Sequence, residues 1–405
     1  MLQNDLKQFN KVESVAIFGS TGFIGKQTLD VIRRCGDINV FALTCDTNVD
    51  VLINQIEEFK PKIVCINDES KLDYLKSQLS KKLSPSESSS IKILTGLDGL
   101  LEIAIDKNYD TAVCAIVGMI GLQPTIAAIS SKKNIALANK ESLVCAGEII
   151  NDLLIENGVS LFPIDSEHSA IKQCLAGEDE SKIDKIILTC SGGPFYGMKR
   201  EQLREIDPIK ALQHPIWSMG RKITVDSSTL VNKGLEVLEA KWLFHKEVDD
   251  IEVVIQRGSL IHSMVSFIDG SVKAQLSVPT MTIPIEYALY GIDRRDIGSA
   301  KLDFTEIKNI SFDIPDTNTF KGLSLAYAVG KKPLLYSTIY NSANEEAVNL
   351  FLEGKISFLQ ISDFIEEALK DASLISAVNE RNNTIENILL TEKETREFVN
   401  SLLAK

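Results

Sequence analysis

Ser14-Val15-Ala16-Ile17-Phe18-Gly19-Ser20-Thr21-Gly22-Phe23-Ile24-Gly25 is an apolar run that breaks into a turn with glycines three residues apart. Residues 26–34 continue with Leu29, Ile32 and Arg33 at helical spacing. Strand, glycine turn and helix in that order open a βαβ unit. The alternation repeats downstream, with strands expected at residues 40–44, 63–67, 92–95 and 111–116 and helical patterns between them at 51–59 and 70–81. Such alternation implies an α/β fold built on a parallel, doubly wound Rossmann-like sheet.

A glycine turn lets backbone amides approach a pyrophosphate, and the helix behind it presents its positive end to the anion. The spacing here is G-x-x-G-x-x-G, which departs from the usual dinucleotide fingerprint and also suits a plain strand-to-helix turn. Asp46 stands about 20 residues further on, where a Rossmann protein contacts the adenosine ribose. It reads either as a ribose ligand or as an exposed loop acid.

The chain has 405 residues, 44% apolar and 24% charged, ordinary values for a globular protein of two or three domains. Residues 1–11 are polar, with neither a signal-peptide block nor an Arg-rich presequence, and no apolar run reaches the ~18 residues of a membrane span. A cytoplasmic protein with no membrane partner is expected. The net charge of −13 and the lack of a Lys/Arg cluster argue against nucleic acid, and an anionic substrate would need a local basic pocket. Seven cysteines without a Cys-x-x-Cys pair fit reduced, mostly buried thiols.

Pro163-Ile164-Asp165-Ser166-Glu167-His168 carries two acids which, on an extended segment, would point the same way. A third, Glu236, ends the polar stripe from Asp226 through Thr229 and Asn232 at helical spacing, so Thr229, Asn232 and Glu236 are expected on one helix face. Three carboxylates without cysteine or paired histidine suit Mg²⁺ or Mn²⁺ better than zinc. Two solvated acids on a strand edge are the simpler alternative for Asp165 and Glu167. Residues 81–90 read as a low-complexity surface loop, and the segments 323–329, 342–352, 361–369 and 392–403 as a C-terminal helical domain.

Between sheet and helices lie Asn139-Lys140-Glu141-Ser142, the Asp165 segment, Ser191-Gly192-Gly193-Pro194-Phe195 and His214-Pro215-Ile216-Trp217-Ser218-Met219-Gly220. With the glycine turn before them and Asn341-Ser342-Ala343-Asn344-Glu345 after, this series resembles the 1-deoxy-D-xylulose 5-phosphate reductoisomerases over nearly the full length.

The resemblance implies NADPH-dependent rearrangement and reduction of 1-deoxy-D-xylulose 5-phosphate to 2-C-methyl-D-erythritol 4-phosphate, in the non-mevalonate (MEP) route to isoprenoids, by a homodimer. It implies a Mn²⁺ or Mg²⁺ ion on Asp165, Glu167 and Glu236, with Lys140 also catalytic. Substrate would meet Lys140, Ser166, Glu167, Ser191, His214, Trp217, Ser227, Asn232, Lys233 and Glu236. NADPH would meet Gly19, Thr21, Gly22, Phe23, Ile24, Asn48, Asn139, Glu141 and Gly220. The implied division is an NADPH-binding Rossmann-like domain at 1–155, a central α+β catalytic domain with lid and dimer face at 156–292, a connector at 293–316 and a helical domain at 317–405. For Lys140 the plain alternative is a surface ion pair with Glu141, and for Trp217 a core position in a rigid loop.

Two positions depart from the family pattern. Phe23 replaces a small serine in the glycine turn, and Asp46-Thr47 replaces a Gly-Lys pair beside Asn48, so a smaller preference for NADPH over NADH is expected. The rival readings are a Rossmann dehydrogenase acting on homoserine or an aldehyde, which needs no metal triad, and a nucleotide-sensing protein that has lost its chemistry.

Overall fold

Near-continuous apolar runs make strands when both faces of a sheet are covered. The computed structural model describes residues 11–217 and 219–404. The polar stretch 1–10, Ser218 of the expected lid and Lys405 lie outside the described residues. The chain divides into two compact units: Met1–Ser142, Ile150–Ser169 and Thr280–Ala300 form the first, and Leu143–Ile149, Ala170–Pro279 and Lys301–Lys405 the second.

The first unit holds β1 (Ser14–Phe18), β2 (Asn39–Cys45), β3 (Ile63–Ile66), β4 (Lys92–Thr95), β5 (Thr111–Cys114), β6 (Asn134–Leu137) and β7 (Leu161–Pro163). They form one seven-stranded sheet in the order β4-β3-β2-β1-β5-β6-β7, and every pairing is parallel. The order reverses at β1, between β2 and β5, the place where the carboxyl ends of a doubly wound sheet leave a crevice for ligand. Val15, Ile17 and Leu43 share one buried cluster with Ile285, Ala288 and Leu289 of the helix Thr282–Tyr290, which returns to this unit from far along the chain. The Tyr290 hydroxyl donates to Asp37 Oδ1 at 2.6 Å and fixes that return.

The second unit has a four-stranded mixed sheet built from β8 (Ile183–Cys190), β9 (Ile251–Ile255), β10 (Ile261–Phe267) and β11 (Val272–Leu276), in the order β11-β10-β8-β9. β10 runs antiparallel to β8 and β11, whereas β9 is parallel to β8. The helices Lys321–Gly330, Leu335–Leu352, Phe358–Ala368, Ala372–Glu380 and Ile385–Ser401 follow without strands between them. A Cβ on Gly234 would lie 2.6 Å from Tyr340 Oη and 2.7 Å from Ala326 Cβ, so the helix Val231–Phe244 is seated directly on this helical layer.

The expected α/β class, parallel sheet and helical C-terminal region are all present. Residues 81–90 are not a loop: Pro85–Ser90 is a helix whose first turn is closed by Ser84 and Glu87 in a reciprocal capping box. Among the described residues no helix is long and apolar enough to cross a membrane.

Candidate active site

In the first unit the glycine turn links β1 to the helix Phe23–Cys35. Gly19 has φ +90°, and a Cβ there would sit 2.7 Å from the Ala115 carbonyl, so only glycine fits. A Cβ on Gly25 would lie 2.3 Å from the Gly19 carbonyl, which lets the helix start hard against the turn. Gly22 occupies the N-cap without a side-chain cap, so no side chain covers the first-turn amides. These features fit a dinucleotide pyrophosphate. Phe23 is 41% exposed, so it takes no room from the turn. Thr21 and Ile24 flank it, both half-buried.

Asn48 caps the helix Val49–Phe59, accepting from the Val51 amide at 3.4 Å. Asp46 accepts from Asn67 Nδ2 at 2.9 Å. The Lys71 ammonium donates to the Thr47 carbonyl at 2.8 Å, bringing a cation to this corner that the sequence reading missed.

Asn139 is a buried cap of the helix Lys140–Asn157: its Oδ1 accepts from the Ser142 amide at 2.9 Å, and its Nδ2 donates to the carbonyls of Ile116 and Gly118. That side chain ties the exits of β5 and β6 together. Its Nδ2 also lies 3.3 Å from Glu141 Oε2. Lys140 is only 6% exposed, and its ammonium is 2.7 Å from Asp165 Oδ2. The alternative of a surface lysine is therefore excluded.

Asp165 and Glu167 are not on an extended segment. β7 stops at Pro163 and a helix, Ser166–Cys174, begins at once, with the Ser169 amide donating to the Asp165 carbonyl at 2.8 Å. Asp165 sits at the helix start and Glu167 in its first turn, where carboxylates are favoured by the free amides. The Ser166 hydroxyl donates to Glu167 Oε2.

In the second unit the stripe ending at Glu236 is split. One helix covers Arg221–Ser228, Leu230 turns left-handed with φ 59°, and Val231–Phe244 starts a second helix. Thr229 therefore does not share a helix face with Asn232 and Glu236. Asn232 Nδ2 donates to Glu236 Oε1, and Lys233 Nζ bonds both Glu236 Oε2 and the Thr189 carbonyl of β8. Glu236 is 1% exposed, and a cation at contact distance offsets the cost of burying it. Behind Ser227, Asp226 accepts from Asn344 Nδ2 at 2.8 Å and meets Lys222 at 3.1 Å, two more contacts that sequence alone did not reveal.

His214 folds back on its own loop. Its Nδ1 accepts from the amides of Ile216 (3.2 Å) and Trp217 (2.9 Å), so the ring proton is assigned to Nε2, 3.1 Å from Ser191 Oγ. Burial first, then the charge of Arg257, push the imidazole down to about 4, and it is neutral near pH 7. Ser191 Oγ also accepts from the Gly193 amide at 3.2 Å. With both lone pairs engaged, its own proton is the group left to donate to a ligand. Gly193 has φ +69°, and a Cβ there would meet the Ser227 carbonyl at 2.8 Å, so this turn packs against Ser227. The half-buried Trp217 ring lies 6.2 Å from the His262 ring, and Gly220 caps Arg221–Ser228.

Ser191, His214, Ser227, Asn232, Lys233 and Glu236 are thus gathered around the exit of β8, and Lys140, Asp165, Ser166 and Glu167 around the exits of β6 and β7. The acids offer carboxylate oxygens alone, a donor set that fits a hard divalent cation.

Three family models match the chain: 1-deoxy-D-xylulose 5-phosphate reductoisomerase at residues 15–147, the C-terminal domain of that enzyme at 161–244, and the DXP reductoisomerase C-terminal domain at 276–398. The 1-deoxy-D-xylulose 5-phosphate reductoisomerase of Lachnospira eligens is 49% identical over 390 residues, covering 96% of this chain and 100% of its own. That of Clostridium beijerinckii is 48% identical, covering 96% and 98%. A crystal structure of DOX-P reductoisomerase in complex with NADPH, fosmidomycin and magnesium superposes with a TM-score of 0.92 at 36% identity, over 97% of this chain and 98% of its own. The Zymomonas mobilis enzyme in complex with NADPH gives 0.85 at 35%, over 97% and 99%.

Proposed function

The chain belongs to the 1-deoxy-D-xylulose 5-phosphate reductoisomerase family, and from that premise we propose that it rearranges 1-deoxy-D-xylulose 5-phosphate and reduces it to 2-C-methyl-D-erythritol 4-phosphate in the MEP route. It is an NADP-dependent oxidoreductase and isomerase. The observation that carries this reading is the pairing of buried Lys140 with half-buried Asp165, next to Glu167 in the chain, at the carboxyl edge of the parallel sheet.

NADPH would rest on the turn at Gly19, Thr21, Gly22, Phe23 and Ile24, with Asn48, Asn139, Glu141 and Gly220 as further contacts. Mg²⁺ or Mn²⁺ would be held by Asp165, Glu167 and Glu236. When bound, the divalent ion polarises the substrate ketone and NADPH supplies the hydride. Lys140 sets a positive charge where a substrate oxygen gains negative charge, and Ser166 orients that end of the substrate. Ser191, Ser227, Asn232 and Lys233 hold the phosphate, and the neutral His214 keeps the Ser191 proton aimed outward. Trp217 covers the substrate and keeps water out.

Residues 1–155 would then bind NADPH, 156–292 would supply metal, substrate, lid and dimer contacts, 293–316 would connect, and 317–405 would brace the helix bearing Glu236. The edge strand β11, with Val272 53% exposed, supports pairing of two chains through the second unit's sheet. Light scattering should return twice the 44.7 kDa of one chain, and a monomer would refute the dimer. We place the enzyme in the cytoplasm.

The test follows NADPH oxidation with 1-deoxy-D-xylulose 5-phosphate, with and without Mn²⁺, for wild type and Glu236→Gln. The amide keeps the shape and removes a ligand charge, so turnover should fall by at least about two orders of magnitude and demand more metal. Unchanged turnover would remove Glu236 from the site.

A further inference from the structure

Arg257 follows β9 in a loop tied to the exit of β8, where the Gln256 amide donates to the Cys190 carbonyl at 2.8 Å. Its Nη1 donates to the carbonyls of Ser191 at 2.6 Å and Gly193 at 2.9 Å. The guanidinium lies 4.8 Å from the centre of the Tyr196 ring, whose hydroxyl is held by Asp313 at 2.9 Å. Among the described residues it meets no carboxylate at ion-pair distance, unlike Arg33, Arg200, Arg295, Arg381 and Arg396 but like Arg34, Arg204 and Arg221. An unneutralised cation in a chain of net charge −13 is therefore aimed at one particular turn.

That turn carries Ser191, whose hydroxyl proton is left to donate, and it packs against Ser227. Carbonyl oxygens repel an anion. Nη1 collects both of them on one side and keeps the donors of the turn available on the other, and the planar guanidinium, laid against the Tyr196 ring, holds that nitrogen there with less loss of freedom than an ammonium would. We propose that Arg257 is a positioning residue for the substrate phosphate, fixing the Ser191–Gly193 turn and adding uncompensated positive charge to that end of the site. This rests on the reductoisomerase reading given above.

The readouts are KM and kcat for 1-deoxy-D-xylulose 5-phosphate, Ki for inorganic phosphate as a competitive probe, and Kd for NADPH. Arg257→Gln should raise KM and the phosphate Ki together, by roughly 10- to 100-fold, with kcat within about threefold and the NADPH Kd unmoved. Arg257→Lys, which keeps the charge but not the planar guanidinium laid against Tyr196, should fall between wild type and Arg257→Gln. The proposal is overturned if Arg257→Gln leaves both constants within about twofold of wild type, or if Arg257→Lys is no better than Arg257→Gln, which would mark a packing role. Should Arg257→Gln not fold, the same constants for Arg257→Lys decide: a rise of about threefold or more in both supports the proposal, and no change overturns it. Wild type without turnover of the pentulose phosphate would instead sink the reductoisomerase reading itself.

Discussion

Asp46 and Lys71 bring opposite charges to the exit of β2, where a Rossmann protein meets the ribose of its dinucleotide. The acid disfavours a 2′-phosphate, and the ammonium, anchored on the Thr47 carbonyl, returns part of the attraction. The ratio of kcat/KM for NADPH to that for NADH should be smaller than in relatives with a lysine beside Asn48. Lys71→Met should lower it by about a further fivefold, a modest figure because the ammonium is partly exposed and screened. A ratio unmoved by Lys71→Met would remove that lysine from cofactor selection. Sequence showed Asp46 but not Lys71, because a cation 25 residues away reaches this corner only after β3 has paired beside β2. Lys140, Asp165, Glu167 and Glu236 were legible as residues. The partners of Lys140 and Glu236 were not, since burial and contact are properties of the folded chain.

Strands β1 to β5 and the glycine turn read well from sequence because their signals are local, whereas β6 to β11 are not singled out. β1 and β4 run as expected over Ser14–Phe18 and Lys92–Thr95. The helix Pro85–Ser90 is hidden by its serine-rich composition, although the Ser84-x-x-Glu87 pattern does carry a capping mechanism. The break at Leu230 has no sequence signal: a leucine in the left-handed region is costly and persists only where surrounding packing over-determines it. Beyond that break, the helix Val231–Phe244 presents Asn232, Lys233 and Glu236 at a height set by its contact with the helical layer. Gly234→Ala should cost about 1–3 kcal/mol in urea unfolding, because the added methyl meets Tyr340 and Ala326 in a filled interface. Equal or greater stability would show that this contact has slack.

On the scale of the whole molecule, a chain of net charge −13 can hold a phosphorylated substrate and a phosphorylated cofactor only where cations are concentrated. Lys140, Lys233 and Arg257 are the points we propose, each directed by specific hydrogen bonds or ion pairs. The return of Thr282–Tyr290 to the parallel sheet was not visible in segment order, because long-range packing leaves no periodic trace. The proposed function requires Asp165, Glu167 and Glu236 to serve one ion. Calorimetric titration of Mn²⁺ into wild type, Asp165→Asn, Glu167→Gln and Glu236→Gln, without substrate, tests that requirement. One ion per chain, bound at least about tenfold more weakly by each of the three variants, is the expected result. Wild-type affinity in any of the three, or an unchanged ion count with only one variant weakened, would contradict a shared metal site.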